Sequence, residues 1–458
     1  MSDQTAFRAI PAVSTILQDT DFKRFNVAER YLAQIVQEEI ALLRKAIANG
    51  KKTAPESVPA KLHQQILNRL NRLFQPALKR VVNATGIILH TNMGRAPLAP
   101  VAMDAINAAL PNYTNIEIDL NTGKRGKRMQ HVEEMLCLIS GAEAALVVNN
   151  CAAAILLALN TICRRKEVPV SRGELVEIGG AFRMPEVMKA SGAKMVEIGA
   201  TNKTHLADYE SAITTKTAAL LKVHTSNYRI LGFTKEVDIA DLAALAHQHQ
   251  LPLIYDMGSG VIEDLQAWGF PHEPVARDIM EAGVDVATFS GDKILGGPQA
   301  GIIIGKKHLI DKIKKNHLTR ALRCDKLIYT ALEATLRLFL QPAALSQTLP
   351  VAMMMTTSRE ALTSRAKQIQ AALAGANLKI EIIDTFSQMG SGALPLEKIP
   401  SIALQITSPE ISPLKIAARF RGGNPPIVGY IQDDAFFLNL RTVREDEIPL
   451  IQEALLGL

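Results

Sequence analysis

Apolar and polar positions alternate in two different ways along the chain, and the change of rhythm separates its parts. Up to about residue 80, apolar residues recur at helical spacing, as in RYLAQIVQEEIALLRKAI and KLHQQILNRLNRLF. A Gly-Lys-Lys-Thr-Ala-Pro break between Gly50 and Pro55 separates these two segments. The pattern predicts a small helical domain over residues 1–80.

Between about residues 140 and 305, short apolar runs alternate with amphipathic segments such as DIADLAALAHQHQ. This rhythm predicts βα units and an α/β core with a seven-stranded, mostly parallel sheet, which we place in residues 81–340. The seven runs are AALVV (144–148), ELVEI (174–178), KMVEI (194–198), AALLKV (218–223), LPLIYD (251–256), VDVATF (284–289) and GIIIG (301–305).

The remaining residues, 341–458, follow a different order of elements. A helical pattern, ALTSRAKQIQAALAG, precedes three strand-like runs and a final helix. The strand-like runs are SIALQI, IVGYIQ and AFFLNL. We therefore expect a smaller C-terminal α+β domain.

One uncharged stretch, residues 144–163, is long enough on paper to span a bilayer. Asn149 and Asn150 interrupt it, and its first five residues are typical of a strand. We expect a buried strand, a polar turn and a buried helix, and no membrane association.

No secretory signal is visible, and the four cysteines lack metal-ligand spacing. From these two features we expect a cytoplasmic protein whose cysteines are reduced thiols and which has no metal site.

The charge of the chain is concentrated at one end. Composition is ordinary for a globular protein, with 48% hydrophobic and 21% charged residues, which excludes a disordered or fibrous chain. The formal net charge is +6, and residues 1–80 alone hold 13 Lys/Arg against 7 Asp/Glu. Basic faces are common on solvated helices, so charge alone favours a plain surface over a nucleic-acid-binding module.

Polar residues follow several predicted strands, where ligands bind in open α/β sheets. After AALVV come Asn149, Asn150 and Cys151, at a predicted helix start whose backbone N–H groups suit a phosphate. An ordinary helix cap is the alternative. Asp256 ends LPLIYD, and a carboxylate there suits a metal, a ribose or a protonated ring nitrogen.

Ser290 and Lys293 follow VDVATF and are flanked by glycines. A lysine just past a buried strand is a candidate Schiff-base nucleophile, although a lone lysine is usually a surface residue. In combination, the helix start, Asp256, Ser290 and Lys293 match a pyridoxal-phosphate site. The phosphate would bind Asn150, Cys151 and Ser290, Asp256 would face the ring nitrogen, and Lys293 would bond the aldehyde. Order and spacing resemble the fold-type I pyridoxal-phosphate enzymes, the aspartate aminotransferase superfamily.

Longer stretches narrow the family. The chain closely resembles the bacterial L-seryl-tRNA(Sec) selenium transferases, or selenocysteine synthases, over essentially its whole length, with the weakest match in the C-terminal domain. The stretches that carry the resemblance are VVNATGIILHTNMGRAPL (81–98), VSRGELVEIGGAFRMPEVM (170–188), KVHTSNYRILGFT (222–234), FSGDKILGGPQAG (289–301) and RALRCDKLIYTALEATLRLFL (320–340).

The resemblance implies an activity and partners. It implies conversion of L-seryl-tRNA(Sec) to L-selenocysteyl-tRNA(Sec), by β-elimination of the serine hydroxyl through an aminoacrylyl-tRNA intermediate and addition of selenium from selenophosphate. It also implies pyridoxal 5'-phosphate as cofactor, an N-terminal helical domain that contacts the tRNA, and a ring-shaped homodecamer. No DNA partner is expected.

The resemblance also assigns residues. It gives Lys293 as the cofactor-bearing lysine, with Asp292 beside it, and Arg95, Arg320 and Arg323 as anion-binding residues. Arg320 and Arg323 share a face if their segment is helical. Asp292 either orients Lys293, assists departure of the hydroxyl, or is only an acid at a helix start. The family usually has a third Asn where this chain has Cys151, whose thiol is a weaker donor.

Three further residues are weaker candidates for cofactor contact, and two rival functions stay open. Phe182 is more simply explained by core packing, and His224 and His90 by structural roles. One rival is a related pyridoxal-phosphate lyase acting on a small amino acid or amino sugar acid. The other is a non-catalytic nucleic-acid-binding protein, against which the intact set of Asp256, Ser290 and Lys293 argues.

Overall fold

The computed structural model describes residues 2–50, 54–178, 182–372 and 378–458. The chain divides into two compact units, residues 1–80 and 81–458. Part of the predicted break at 50–55 and the end of the predicted helix at 361–375 lie outside the described residues.

The N-terminal unit is helical in its described part, as predicted. Its helices are α1 (Ser2–Arg8), α2 (Val13–Ile16), α3 (Thr20–Lys23), α4 (Glu29–Ala48) and α5 (Val58–Phe74). The apolar faces of α4 and α5 supply most of the buried side chains, including Val36 and Ile66. Arg69 on α5 forms ion pairs with Glu39, at 3.1 Å, and with Glu38, both on α4.

A group of possible metal ligands lies in the same unit. His63 Nε2 is 3.2 Å from a carboxylate oxygen of Asp19 and 3.2 Å from one of Asp21. Within the described residues, Asp19, Asp21 and His63 lie close enough together for their side chains to bind one metal ion. The imidazole ring of His63 also stacks on Phe22, with the ring centroids 5.0 Å apart.

The described strands of the large unit form several sheets. Their bounds are β1 (Val82–Asn83), β2 (Ala144–Val148), β3 (Glu167–Ser171), β4 (Glu177–Ile178), β5 (Phe182–Arg183), β6 (Lys194–Ile198), β7 (Leu220–Val223), β8 (Leu253–Gly258), β9 (Val286–Ser290), β10 (Gly301–Gly305), β11 (Lys379–Ser387), β12 (Ile399–Thr407), β13 (Ile427–Val428), β14 (Tyr430–Gln432) and β15 (Ala435–Asn439).

The central sheet has the strand order β2-β10-β9-β8-β7, and β10 is antiparallel to both neighbours. β3 and β6 form a parallel pair, and a parallel bridge from Glu167 to Thr217 joins that pair to the segment entering β7. The five-stranded sheet and the β3-β6 pair together hold seven strands, most of them parallel, with this single bridge between the two sheets in the described residues. β2, β9 and β10 are buried throughout, as expected for a sheet covered on both faces.

One predicted strand is wrong over most of its length. In ELVEI (174–178), only Glu177–Ile178 is extended, and Arg172–Glu174 form a short 3-10 helix. The carboxylate of buried Glu174 accepts hydrogen bonds at 2.9 Å from both Lys222 Nζ and the Val223 backbone N–H, which holds this segment against β7. The strand in its place is β3, EVPVS, which we did not predict.

The helices of the large unit cover the sheet and continue into the C-terminal part. Their bounds are α6 (Pro100–Ala109), α7 (Glu133–Ser140), α8 (Cys151–Ile162), α9 (Met184–Ser191), α10 (Leu206–Ala212), α11 (Ile239–Gln248), α12 (Ala276–Glu281), α13 (Lys307–Lys314), α14 (Leu318–Ala321), α15 (Lys326–Leu338), α16 (Leu345–Thr348), α17 (Pro350–Thr356), α18 (Arg359–Ala371), α19 (Pro413–Gly422) and α20 (Ile448–Leu456).

The C-terminal part contains an antiparallel sheet in the order β11-β12-β15-β14, with α18, α19 and α20 contributing to its apolar core. The three predicted strands correspond to β12, to β13 with β14, and to β15. β11 was not predicted.

The uncharged stretch at 144–163 forms β2 and α8, as the interruption at Asn149 and Asn150 predicts. Among the helices described here, none combines the length and the apolar character that crossing a bilayer requires.

Candidate active site

The carboxyl ends of β8 and β9 lie side by side and carry two predicted site residues. Asp256 is on β8, and the parallel register places it opposite Thr288 on β9. Thr288 Oγ1 donates a hydrogen bond to Asp256 Oδ1 at 2.8 Å. Ser290 ends β9 two residues later, so it faces the same side of the sheet as Thr288.

Helix α8 begins close to Asp256. The Asn150 side chain caps the helix, accepting a hydrogen bond from the Ala153 backbone N–H at 2.8 Å. The thiol of Cys151 lies 3.5 Å from Asp256 Oδ1. A Cβ on Gly301 in β10 would lie 1.9 Å from the Asn150 carbonyl oxygen. Glycine therefore allows the helix start to lie directly against the sheet.

Lys293 lies in the loop after β9 and is only 7% exposed. Burial lowers its pKa, while the carboxylates of Asp256 and Asp292 act in the opposite direction. Its amine lies 4.0 Å from the position that a Cβ on Gly258 would occupy, at the end of β8. Lys293 is therefore a buried amine at the same sheet edge as Asp256.

The acid at this edge is buried as well. Burial raises the pKa of Asp256, and hydrogen bonds from Thr288 and Cys151 and the charge of Lys293 oppose that rise. Burial likewise raises the pKa of the Cys151 thiol well above its usual range, so the thiol keeps its proton and can act as a donor. The site thus pairs a buried carboxylate with a buried amine.

Asp292 contacts one of the predicted anion-binding arginines. Arg95 Nη1 donates to Asp292 Oδ2 at 2.6 Å, and the Ala96 backbone N–H donates to the Asp292 carbonyl at 3.3 Å. Residues 291–300, all of them described, form turns and bends, so Asp292 does not start a helix. Arg95 Nε is buried and has no hydrogen-bond partner among the described residues.

The structure does not bring Arg320 and Arg323 onto one helical face. Arg320 lies on α14, which ends at Ala321, and Arg323 is in an extended segment that bridges to Val148 at the end of β2. Arg323 Nη1 is 3.7 Å from Glu117 Oε1. Arg95, in contrast, pairs with Asp292, so the three arginines have different neighbours.

The weaker candidates separate into different environments. Phe182 is partly buried and packs against the main hydrophobic core, which agrees with the packing interpretation. His90 precedes the Arg95 loop, and its Nδ1 is buried without a partner in the described structure. His224 follows β7, and its backbone N–H donates to the Asp256 carbonyl at 2.9 Å.

The sequence interpretation missed a buried acid that holds His224. Glu273 is 1% exposed, and its carboxylate accepts from His224 Nε2 at 2.7 Å and from Arg229 Nη2 at 2.7 Å. Glu273 lies in the segment PHEPV, which has no regular pattern. The pairing fixes the orientation of an imidazole at the edge that carries Asp256.

This set of residues fits pyridoxal phosphate. A buried amine, a buried carboxylate, a strand-end hydroxyl and the start of a 12-residue helix are the kinds of group that would suit its aldehyde, ring nitrogen and phosphate. Two buried hydroxyls nearby, Ser226 Oγ and Ser259 Oγ, have no partner in the described structure. A Cβ on Gly258 would lie 3.4 Å from Ser226 Oγ and 4.0 Å from Lys293 Nζ, so the unsatisfied hydroxyl of Ser226 lies on the same side of β8 as this amine.

Comparison with protein families gives a match over most of the chain. The model of the L-seryl-tRNA selenium transferase family matches residues 81–444. The L-seryl-tRNA(Sec) selenium transferase of Carboxydothermus hydrogenoformans is 45% identical over 100% of this chain and 99% of its own length. The protein of that name from Nitratidesulfovibrio vulgaris is 44% identical over 98% of both chains.

Among solved structures, D-glucosaminate-6-phosphate ammonia-lyase is similar in fold. It aligns with a TM-score of 0.57 at 24% identity, covering 82% of this chain and 95% of the other. This likeness concerns the fold, and it agrees with the predicted fold-type I architecture.

Proposed function

The chain belongs to the L-seryl-tRNA selenium transferase family, and from this membership we propose that it converts L-seryl-tRNA(Sec) to L-selenocysteyl-tRNA(Sec). The observation that carries the proposal is the buried Lys293 beside the buried Asp256, inside the region that the family model matches. A non-catalytic protein has no need to keep an amine and a carboxylate together in a desolvated site, because burying both groups costs free energy.

Pyridoxal phosphate is the proposed cofactor, and when bound it supplies an electron sink for the α-carbon of the seryl group. Lys293 would hold its aldehyde, and Asp256 would face the ring nitrogen. Asn150, Ser290 and the N–H groups at the start of α8 would hold its phosphate. Because burial favours the neutral amine of Lys293, this side chain is suited to accept the proton of the α-carbon.

We assign the anion site to the arginines. Selenophosphate is a small anion, and Arg95 offers a guanidinium whose Nε has no partner in the described structure. Asp292, bonded to Arg95, is suited to orient it and to assist departure of the serine hydroxyl. Arg320 and Arg323 are proposed to complete the site.

The helical unit at residues 1–80 is proposed to contact the tRNA, and the enzyme to act as a homodecamer in the cytoplasm, where aminoacyl-tRNAs are used. The basic surplus of this unit supports a phosphate-binding role. Arg69 is paired with two glutamates, so other basic side chains would make the contacts.

Product analysis tests the proposed reaction. Purified protein is incubated with selenophosphate and either seryl-tRNA(Sec) or free L-serine, and the products are separated after deacylation. We expect selenocysteine only from the tRNA-bound substrate, and none with Lys293→Ala. Turnover of the free amino acid, with none of the seryl-tRNA(Sec), would contradict the proposal and favour the related lyase.

A further inference from the structure

Two side chains bind the same oxygen of Asp256. Thr288 Oγ1 donates to Oδ1 at 2.8 Å, and Cys151 Sγ lies 3.5 Å from that atom. Thr288 is 0% exposed and Asp256 is 7% exposed. In such a site, water does not replace a lost donor, so each hydrogen bond to the carboxylate matters more than it would at the surface.

Three separate elements bring these groups together. The register of β8 and β9 sets Thr288 opposite Asp256, and the start of α8 supplies Cys151. The Cys151 thiol also interacts with the hydroxyl of Ser290. An ionised carboxylate only accepts hydrogen bonds, so the threonine hydroxyl and the thiol both act as donors toward Asp256.

We propose that Thr288 and, more weakly, Cys151 are positioning residues that hold Asp256 ionised and oriented toward the ring nitrogen of pyridoxal phosphate. The inference rests on the cofactor named in the proposed function. A hydroxyl at 2.8 Å is a stronger donor than a thiol at 3.5 Å, so Thr288 carries the larger part.

Loss of these donors has a defined electronic consequence. A carboxylate with fewer donors is more basic, so it draws the shared proton away from the ring nitrogen. With the cofactor bound, the ring would then withdraw less electron density, and the nitrogen that Lys293 contributes would keep its proton to higher pH. The other titratable or charged groups around Lys293 are Cys151, Asp292 and Arg95, and the substitution at Thr288 leaves all three unchanged.

Absorbance titration of the full-length protein with pyridoxal phosphate tests the inference. We expect Thr288→Val to weaken cofactor binding roughly tenfold or more and to raise the pH midpoint of the cofactor's absorbance band. Thr288→Ser keeps the hydroxyl, so its cofactor affinity and pH midpoint should match those of the wild type. Thr335→Val is the matched control, since Thr335 is equally buried but donates to the Ala331 carbonyl within its own helix.

The outcomes separate the inference from the proposed cofactor. Wild-type protein without the absorbance band of a bound cofactor would refute the cofactor itself. Normal binding by the wild type, with Thr288→Val matching it in affinity and pH midpoint, would overturn the inference alone, as would an equal change in Thr335→Val. If Thr288→Val does not fold, Cys151→Ala should still give a smaller change in the same direction, and no change there would count against the inference.

Discussion

At the scale of single residues, the central feature is an amine and a carboxylate that share one desolvated edge of the sheet. Burial favours the uncharged form of Lys293, whereas the nearby Asp256 favours the charged form. The two effects act on one side chain in opposite directions, and burial is the larger. The reactive, neutral amine is therefore available at a lower pH than in an exposed lysine.

This balance predicts a pH profile for cofactor incorporation. Only the neutral amine attacks an aldehyde, so the rate should rise with pH through the pKa of Lys293, with a midpoint below the value of about 10.4 for an ordinary lysine. Asp256→Asn should move the midpoint lower, because it removes a charge that favours the ammonium form. Stopped-flow absorbance at a series of pH values measures the rate of cofactor incorporation and its pH midpoint.

The pH midpoint of the incorporation rate decides the test. The size of the absorbance change does not, because Asp256→Asn is also expected to weaken binding of the cofactor ring. Glu333→Gln is a suitable control, because Glu333 pairs with Arg337 on α15 at the surface. A midpoint at or above that of an exposed lysine, or an upward shift in Asp256→Asn, would be incompatible with the electrostatics described here.

At the scale of elements, the site depends on how closely α8 meets the sheet. The carbonyl of Asn150 occupies the space that a side chain on Gly301 would need. The start of the helix, with its backbone N–H groups and Cys151, is thereby placed close to Asp256 and Ser290.

We therefore expect Gly301→Ala to displace the start of α8 and to lower both stability and phosphate binding. Cofactor affinity should fall roughly tenfold to a hundredfold, the range for losing hydrogen bonds to a charged group, and the melting temperature by several degrees. Calorimetry and cofactor titration measure the two effects. Gly422→Ala, at a glycine with open space around its Cβ position, should change neither.

Elements with local patterns were predicted well from the sequence. The alternation of strands and helices, and the residues that immediately follow LPLIY and VDVATF, could be identified because strand ends are local features. The strand EVPVS was missed because Pro169 argues against a strand, and ELVEI was favoured over it. The decisive contact, from Glu174 to Lys222 and Val223, joins residues that are 48 and 49 positions apart.

The same reasoning explains what the sequence could not reveal about the site. Thr288 lies in a strand that looks like ordinary core, and its importance depends on the register between β8 and β9. Glu273 lies in a segment without periodicity. Arg320 and Arg323 were expected to share a face only if their segment is helical, and that condition is not met because α14 ends at Ala321, between them. The catalytic roles of the site residues stay predictions.

At the scale of the whole molecule, charge is divided between the two units. The surplus of basic residues lies in the helical unit, while the larger unit is balanced. Several of these basic side chains, such as Arg44, Lys45 and Arg72, are exposed. A tRNA presents a dense row of phosphates, and binding to it is expected to weaken with salt.

Replacing Arg44, Lys45 and Arg72 together by alanine should weaken tRNA(Sec) binding by about tenfold or more and reduce the salt dependence by roughly one unit of slope per lost phosphate contact. The kcat at saturating seryl-tRNA(Sec) should not change. The control replaces three exposed lysines of the larger unit, Lys216, Lys367 and Lys415, by alanine. It removes the same positive charge and should weaken tRNA(Sec) binding less. Equal losses in both triple variants would argue against a tRNA role for the helical unit.

The most direct test of the account is to locate the lysine that bonds the cofactor. Full-length protein loaded with pyridoxal phosphate is reduced with borohydride, digested, and its peptides are mapped by mass spectrometry. We predict a phosphopyridoxyl group on Lys293, about one per chain, and its loss when seryl-tRNA(Sec) is added before reduction. Labelling of another lysine, or label on Lys293 that seryl-tRNA(Sec) does not diminish, would contradict the account.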